Sequence, residues 1–262
     1  MDGVRQTFKE YAAVDAVSSS RLRALARSPA YCRMVRDAPP TPTRAMRLGS
    51  ALHARVLEPE RFAMVYKQQM NDGRTTKGRE ERDAAARDGI ELLDPGDWEA
   101  VDAMAISLKT HPRFAALMER AAAIEESVYW ERDGRACKAR RDMVGDGWIL
   151  EIKTTTELSR FRWQVSDLAY DVQAAWYRIA GESQGRPAPA FFFAVVASTA
   201  PLESCLLLLD DPWDEGRRKA IALFDLFVKC ELAGSWPAHI EALGSVAVRT
   251  PIEREETWRT EF

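Results

Sequence analysis

From Arg44 to Leu57 the apolar residues Met46, Leu48, Ala51, Leu52, Val56 and Leu57 recur at helical spacing, and Gly49 and Ser50 are small enough to permit close packing. Pro59 is expected to end that helix. Upstream, Ser18-Ser19-Ser20 before RLRALARS predicts an N-cap and a short helix, stopped at Ser28-Pro29 because proline disfavours helical geometry in its predecessor. Residues 30–43, with Pro39, Pro40 and Pro42, then look like a connector. The polar loop NDGRTTKGRE precedes a helix of about 76–88, a short strand at 90–93 and a helix opened by Asp94-Pro95.

The middle of the chain changes character. Strand patterns cover 124–132, 135–144 and 148–155, followed by a long helical pattern from about 160 to 181. Residues 190–198 (AFFFAVVAS) and 203–209 (ESCLLLL) are near-continuous apolar runs, as expected for strands covered on both faces. Asp211-Pro212 opens a last helix of about 212–233. With no repeat, low-complexity tract or dividing linker, a single domain over residues 1–262 is expected. Its parts are an N-terminal helical region (1–60), a sheet with helices (120–235) and a tail (236–262).

Within RACKARRDMVGDGWILEIKTT, Asp146-Gly147 is the dipeptide favoured in a two-residue type I′ turn, which makes residues 135–155 a hairpin. Gly145 then pairs with Trp148, so Asp142 lies opposite Glu151 and Arg140 opposite Lys153. Alternation puts Glu151 and Lys153 on one face and Trp148, Leu150 and Ile152 on the other.

Composition narrows the options. No run of eighteen apolar residues and no basic-then-apolar N-terminus occurs, so neither a membrane span nor a secretory signal is expected, and the location should be cytoplasmic. Cys32, Cys137, Cys205 and Cys230 form no CxxC pair, which argues for reduced, packed thiols. A formal charge of -3 is not that of a protein that coats nucleic acid, so any DNA contact must be local. Basic residues cluster in Arg21/Arg23, Arg44/Arg47, Arg74/Lys77/Arg79 and Lys138/Arg140/Arg141; Arg47, Lys77 and Arg140 are candidate phosphate contacts.

Two carboxylates directly across an antiparallel pair repel, which a fold would not choose for stability. A hard divalent ion such as Mg²⁺, with Mn²⁺ as an alternative, resolves the conflict and brings water that can attack a phosphodiester. Lys153 could orient that water or offset charge on the transition state. Gln173 and Tyr177 share one helical face and could touch a phosphate, hold the water or stack a base. His53 joins a metal site only if its helix packs beside the hairpin; otherwise it is a satisfied core histidine. Glu58, five residues on, is a weaker candidate, and His111 and His239 have no partner nearby in sequence.

With these residues in place, the chain resembles the PD-(D/E)XK nuclease superfamily, and within it the exonuclease VIII (RecE-type) domain related to phage lambda exonuclease. The matching segments are SSSRLRALARSPA, TRAMRLGSALHARVLEPERF, NDGRTTKGR, RRDMV…WILEIKTT and YDVQAAWY. The resemblance implies an α/β, restriction-endonuclease-like core with a central mixed sheet flanked by helices. It makes Asp142 and Glu151 metal carboxylates, Lys153 the catalytic lysine and His53 a further metal ligand, with Ile152 in the metal set. Gln173 and Tyr177 match a Gln-x-x-x-Tyr motif, and Arg141 stands where the motif has proline. It further implies a ring-forming homo-oligomer, trimer or tetramer, that degrades one strand of duplex DNA from a 5′ end with a single-strand annealing protein as partner. Ser18, Ser19 or Ser20, with Arg21, would hold the terminal phosphate at a helix N-terminus. An endonuclease or repair nuclease of the same superfamily, or a catalytically silent DNA-binding scaffold, are the alternatives.

Overall fold

The computed structural model describes residues 4–38, 40–210 and 213–238, so His239 and most of the tail lie outside it. Its elements are β1 (Val4–Arg5), α1 (Phe8–Ala13), α2 (Ser19–Arg27), α3 (Pro29–Asp37), α4 (Arg44–Leu57), α5 (Pro59–Val65), β2 (Tyr66–Gln68), α6 (Thr76–Arg87), β3 (Glu91–Leu93), α7 (Pro95–Thr110) and α8 (Pro112–Glu119). They continue with β4 (Ala123–Arg132), β5 (Arg135–Gly145), β6 (Trp148–Thr155), α9 (Phe161–Asp167), α10 (Tyr170–Ser183), β7 (Ala190–Ala197), β8 (Ser204–Leu208) and α11 (Trp213–Ala233). Six strands form one mixed sheet in the order β1-β4-β5-β6-β7-β8, in which only β6 and β7 run parallel.

The alternation along β6 decides what covers each face. Ile149 joins Trp176, Phe191, Phe193 and Phe224 in a core under α2, α3, α10 and α11. Trp148, Leu150 and Ile152 join Leu52, Leu57, Val101 and Met104 in a second core under α4, α5, α7 and α8. Each fully buried side chain of this kind contributes about 1.5–3 kcal/mol of transfer free energy. The result is a helix–sheet–helix sandwich, the expected α/β class with a central mixed sheet.

Several expectations fail for identifiable reasons. Residues 29–37 are helical rather than a connector: Ser28 ends α2 and caps α3, its Oγ accepting from Tyr31 N–H at 3.1 Å. Pro29 occupies the first turn, where a missing N–H costs nothing. Pro59 likewise opens α5 rather than only stopping α4. The pattern over 160–181 breaks at Ala169, whose φ of 51° is left-handed, and Arg23 Nε donates to the Leu168 carbonyl there at 2.7 Å. β8 is an edge strand with Leu207 and Leu208 exposed, not covered on both faces. Gly49 permits no close approach, since a Cβ there would meet nothing within 4 Å. All four cysteines are free thiols.

The β5–β6 turn is tight for a different reason than its dipeptide suggests. Gly147 has φ 73° but Asp146 is not in the positive-φ region, so the turn is not type I′. Gly145 is what the packing demands: a Cβ there would lie 2.1 Å from the Trp148 ring. Gly145→Ala should therefore destabilise the chain by about 1–3 kcal/mol. For a chain of this size that is a fall of several degrees in melting temperature, and an unchanged melting temperature would refute the packing role.

Candidate metal centre

The β5–β6 ladder pairs Gly145 with Trp148, Val144 with Ile149 and Met143 with Leu150, the register read from the sequence, and then stops. Side chains take over the next hydrogen bonds. Asp142 N–H donates to Glu151 Oε1 at 3.2 Å, and Ile152 N–H donates to Asp142 Oδ2 at 2.7 Å. Arg140 therefore has no ladder partner in Lys153. Beyond this point β5 bonds the segment before α2 instead: Val17 N–H donates to Ala136 O at 2.9 Å, and Lys138 N–H to Val17 O at 2.8 Å.

The other edge of β5 shows the same gap. Its ladder with β4 joins Ile124 to Met143 and Glu126 to Arg141 but skips Glu125 and Asp142, which lie between them. Glu125 has φ 51°, unusual for a side-chain-bearing residue in a strand. Its effect is visible in the packing. Ile124 and Met143 pack with the α4/α7 core, whereas Val128 and Ala139, of the same parity, pack with the α10/α11 core. Alternation thus slips on both strands here, and the slip turns Glu125 and Asp142 toward α4.

From α4, His53 meets them. Its Nδ1 lies 3.3 Å from Asp142 Oδ1 and 4.0 Å from Glu125 Oε1, and its Nε2 donates to the Ile152 carbonyl at 3.1 Å. Ligand atoms of His53, Glu125 and Asp142 all fall within 4.8 Å of one another. On β6 itself, Lys153 Nζ donates to Glu151 Oε2 at 3.1 Å and lies 4.8 Å from the Tyr170 ring centre, and from the opposite helical layer comes Gln173. Gln173 Nε2 donates both to Glu151 Oε2 and to the Tyr177 hydroxyl, each at 3.0 Å. A carboxylate only accepts, so Gln173 must present its NH₂ there; its buried Oε1 has no hydrogen-bond partner among the described residues.

Charge crowding is expressed in the titration of these groups. Burial, reinforced by Asp142, pushes the Glu151 carboxyl up. Burial also works to raise Asp142, but His53, then Lys153 and the Ile152 amide, hold it below the usual carboxylate range. For His53, burial disfavours the cation, yet the charge and hydrogen bond of Asp142 and the charge of Glu125 outweigh it and lift the pKa to about 9. Both His53 partners are acceptors, so the imidazole carries two protons, one toward each.

The site gathers His53, Asp142, Glu151, Ile152, Lys153, Gln173 and Tyr177, all named from the sequence, and adds Glu125, which was not. Glu151 stands beside the three-residue ligand cluster rather than within it. The donor set of imidazole, carboxylates and a main-chain carbonyl is of the kind that can hold a divalent cation. The expected DNA contacts fare less well. Arg140 is buried against Glu125, and Tyr177 is buried behind Gln173, so neither can reach a phosphate or a base. Arg21 is paired with Asp15 at 2.5 Å, Ser19 is buried, and Ser18 caps α2 with its Oγ 2.8 Å from that of Ser20. Glu58 pairs with Arg61 at 3.0 Å. Arg47 and Lys77 are exposed on α4 and α6. Arg141, in the proline position of the motif, is buried and ion-paired with Glu126, which Arg186 also contacts at 2.6 Å.

A mixed sheet between helical layers, with an aspartate, a Glu-x-Lys strand and a Gln-bearing helix at one point, places the molecule in the PD-(D/E)XK nuclease superfamily. The chain belongs to the family described as "PDDEXK-like domain of unknown function (DUF3799)", whose model matches residues 18–246. It is similar in fold to the crystal structure of a "Putative exonuclease" from Eubacterium rectale, with a TM-score of 0.63 at 14% identity, covering 98% of this chain and 100% of that one. No curated protein matches the chain in sequence. No described helix is long and apolar enough to cross a membrane.

The His53 shift has a sign that can be measured without metal. A raised histidine pKa stabilises the fold fully below 6.5 and loses that contribution as pH climbs through about 9. In EDTA the melting temperature should fall between pH 6.5 and 9, and His53→Gln should flatten that fall; an unchanged slope in His53→Gln would show the imidazole is not held as described.

Proposed function

We propose that the chain is a Mg²⁺-dependent DNA nuclease, and specifically a 5′-to-3′ exonuclease acting on linear double-stranded DNA. The observation that carries this reading is the convergence of His53, Glu125 and Asp142 beside the Glu151–Lys153 strand. His53, Asp142, Glu125 and the Ile152 carbonyl would hold the ion, with Glu151 alongside; when bound it polarises a phosphodiester oxygen and lowers the pKa of water. The rest falls to the chain's own groups. Lys153, held by Glu151 and stacked on Tyr170, sets a fixed positive charge where charge builds on the attacked phosphate. Gln173 orients Glu151 from one side while its free Oε1 offers an acceptor to a water O–H. Tyr177 keeps Gln173 in that rotamer.

The exonuclease reading draws on the description of the E. rectale protein as a putative exonuclease, and the 5′-to-3′ polarity on the resemblance of the RecE-type segments alone. A 5′-phosphate hold at the α2 N-terminus, contacts from Arg47 and Lys77, a homo-oligomeric ring and a single-strand annealing partner in phage-type recombination extend the same reading.

Incubation of linear and covalently closed duplex DNA with Mg²⁺ or with EDTA tests it. Linear DNA should be degraded only with Mg²⁺ and closed circles spared; cleaved circles would make it an endonuclease, and no metal-dependent cleavage would leave a DNA-binding scaffold. Asp142→Asn keeps an acceptor for Ile152 N–H and a donor for neutral His53, so it should fold normally yet lose turnover by about 10²-fold or more, as should Lys153→Ala. Retained activity in either would place the chemistry elsewhere.

A further inference from the structure

We propose that Arg140 is a positioning residue that aims Glu125 into the ligand cluster, and that the N-terminal segment around Gln6 locks it in place; this rests on the metal reading above. Arg140 is 7% exposed, and its Nε and Nη1 donors are committed. Nε donates to Glu125 Oε2 at 2.6 Å, and Nη1 donates to the Gln6 carbonyl at 2.7 Å and to Ser127 Oγ at 3.3 Å. With Oε2 taken, Oε1 is the Glu125 oxygen left facing His53, 4.0 Å from Nδ1. The guanidinium therefore sorts the two carboxylate oxygens, one for the scaffold and one for the cluster.

The segment supplying the Gln6 carbonyl lies ahead of the span matched by the family model. It is nonetheless tied to the same place. β1 pairs with β4 so that Arg5 lies opposite Glu126, the neighbour of Glu125. Lys138, two residues before Arg140, donates from Nζ to the carbonyls of Tyr11, Ala12 and Val14 at 2.8, 3.4 and 2.7 Å, and its Nζ lies 4.4 Å from the Tyr11 ring centre. Two basic residues on β5 thus bind main-chain oxygens of one strap rather than DNA, and the strap fixes the arginine that fixes Glu125. A left-handed conformation at Glu125 is strained, and it persists only where its surroundings hold it.

The test is calorimetric titration of the full chain with Mn²⁺, with the metal-free melting temperature measured alongside. Lys at position 140 retains charge but cannot span Glu125 and Gln6 together, so Arg140→Lys should weaken Mn²⁺ binding about 10-fold or more. In a Glu125→Gln background, Arg140→Lys should add less than about 2-fold, because the arginine acts through that carboxylate. Equal losses in both backgrounds, or unchanged affinity in Arg140→Lys, would overturn the proposal while leaving the metal site standing. A wild-type chain that takes up no Mn²⁺ would instead overturn the metal reading itself. Should Arg140→Lys fail to fold, NMR of the wild type decides: Mg²⁺ should shift the Arg140 Nε–H resonance, and a resonance that ignores saturating Mg²⁺ would refute the coupling.

Discussion

Everything at this site follows from crowding three carboxylates, Glu125, Asp142 and Glu151, onto neighbouring positions of adjacent strands with little access to water. Two unit charges about 4 Å apart repel by roughly 4 kcal/mol at the effective dielectric of a protein surface, a large share of a typical net stability of about 5–15 kcal/mol. The chain answers with a cation for each: His53 for Asp142, Arg140 for Glu125 and Lys153 for Glu151. The backbone responds as well, since both ladders flanking β5 are interrupted at Asp142 and its hydrogen bonds pass to carboxylate oxygens.

Those interruptions explain how one site draws on both helical layers. An unbroken sheet would keep α4 and α10 on opposite sides of a continuous hydrogen-bonded surface. Where β5 and β6 cease to pair, His53 reaches the Ile152 carbonyl from one layer while Gln173 holds Glu151 from the other, together with Lys153 of the same strand. The hydrophobic cores on either side hold the helices that carry these residues, so the polar gap is framed by apolar packing that does not depend on it.

Much of this was legible in the residues. Alternation in WILEIK and the Asp146-Gly147 dipeptide put Asp142 opposite Glu151, even though the turn conformation differs from the type that dipeptide favours. Helical spacing grouped Gln173 with Tyr177. Glu125 was missed, although the signal existed. Asp133-Gly134, with φ of 47° and 71°, forms the β4–β5 turn, and counting back from it as from Asp146-Gly147 brings Glu125 opposite Asp142. That count would not have revealed the left-handed Glu125 or the slip in alternation, because the groups packed there, His53 of α4 and Arg140 held by the Gln6 carbonyl, come from elements distant in sequence. For the same reason Arg140 looked like a DNA contact: a basic run carries no mark of whether its partner is a phosphate or a buried glutamate.

As proposed above, the crowded carboxylates would hold a divalent cation among His53, Glu125, Asp142 and the Ile152 carbonyl. Anomalous diffraction from crystals grown with Mn²⁺ tests it most directly. A manganese peak is expected within coordination distance of those groups, with Arg140 still on Glu125 Oε2; a fully occupied peak elsewhere, or His53 still bonded to Asp142 at saturating Mn²⁺, would refute the metal reading.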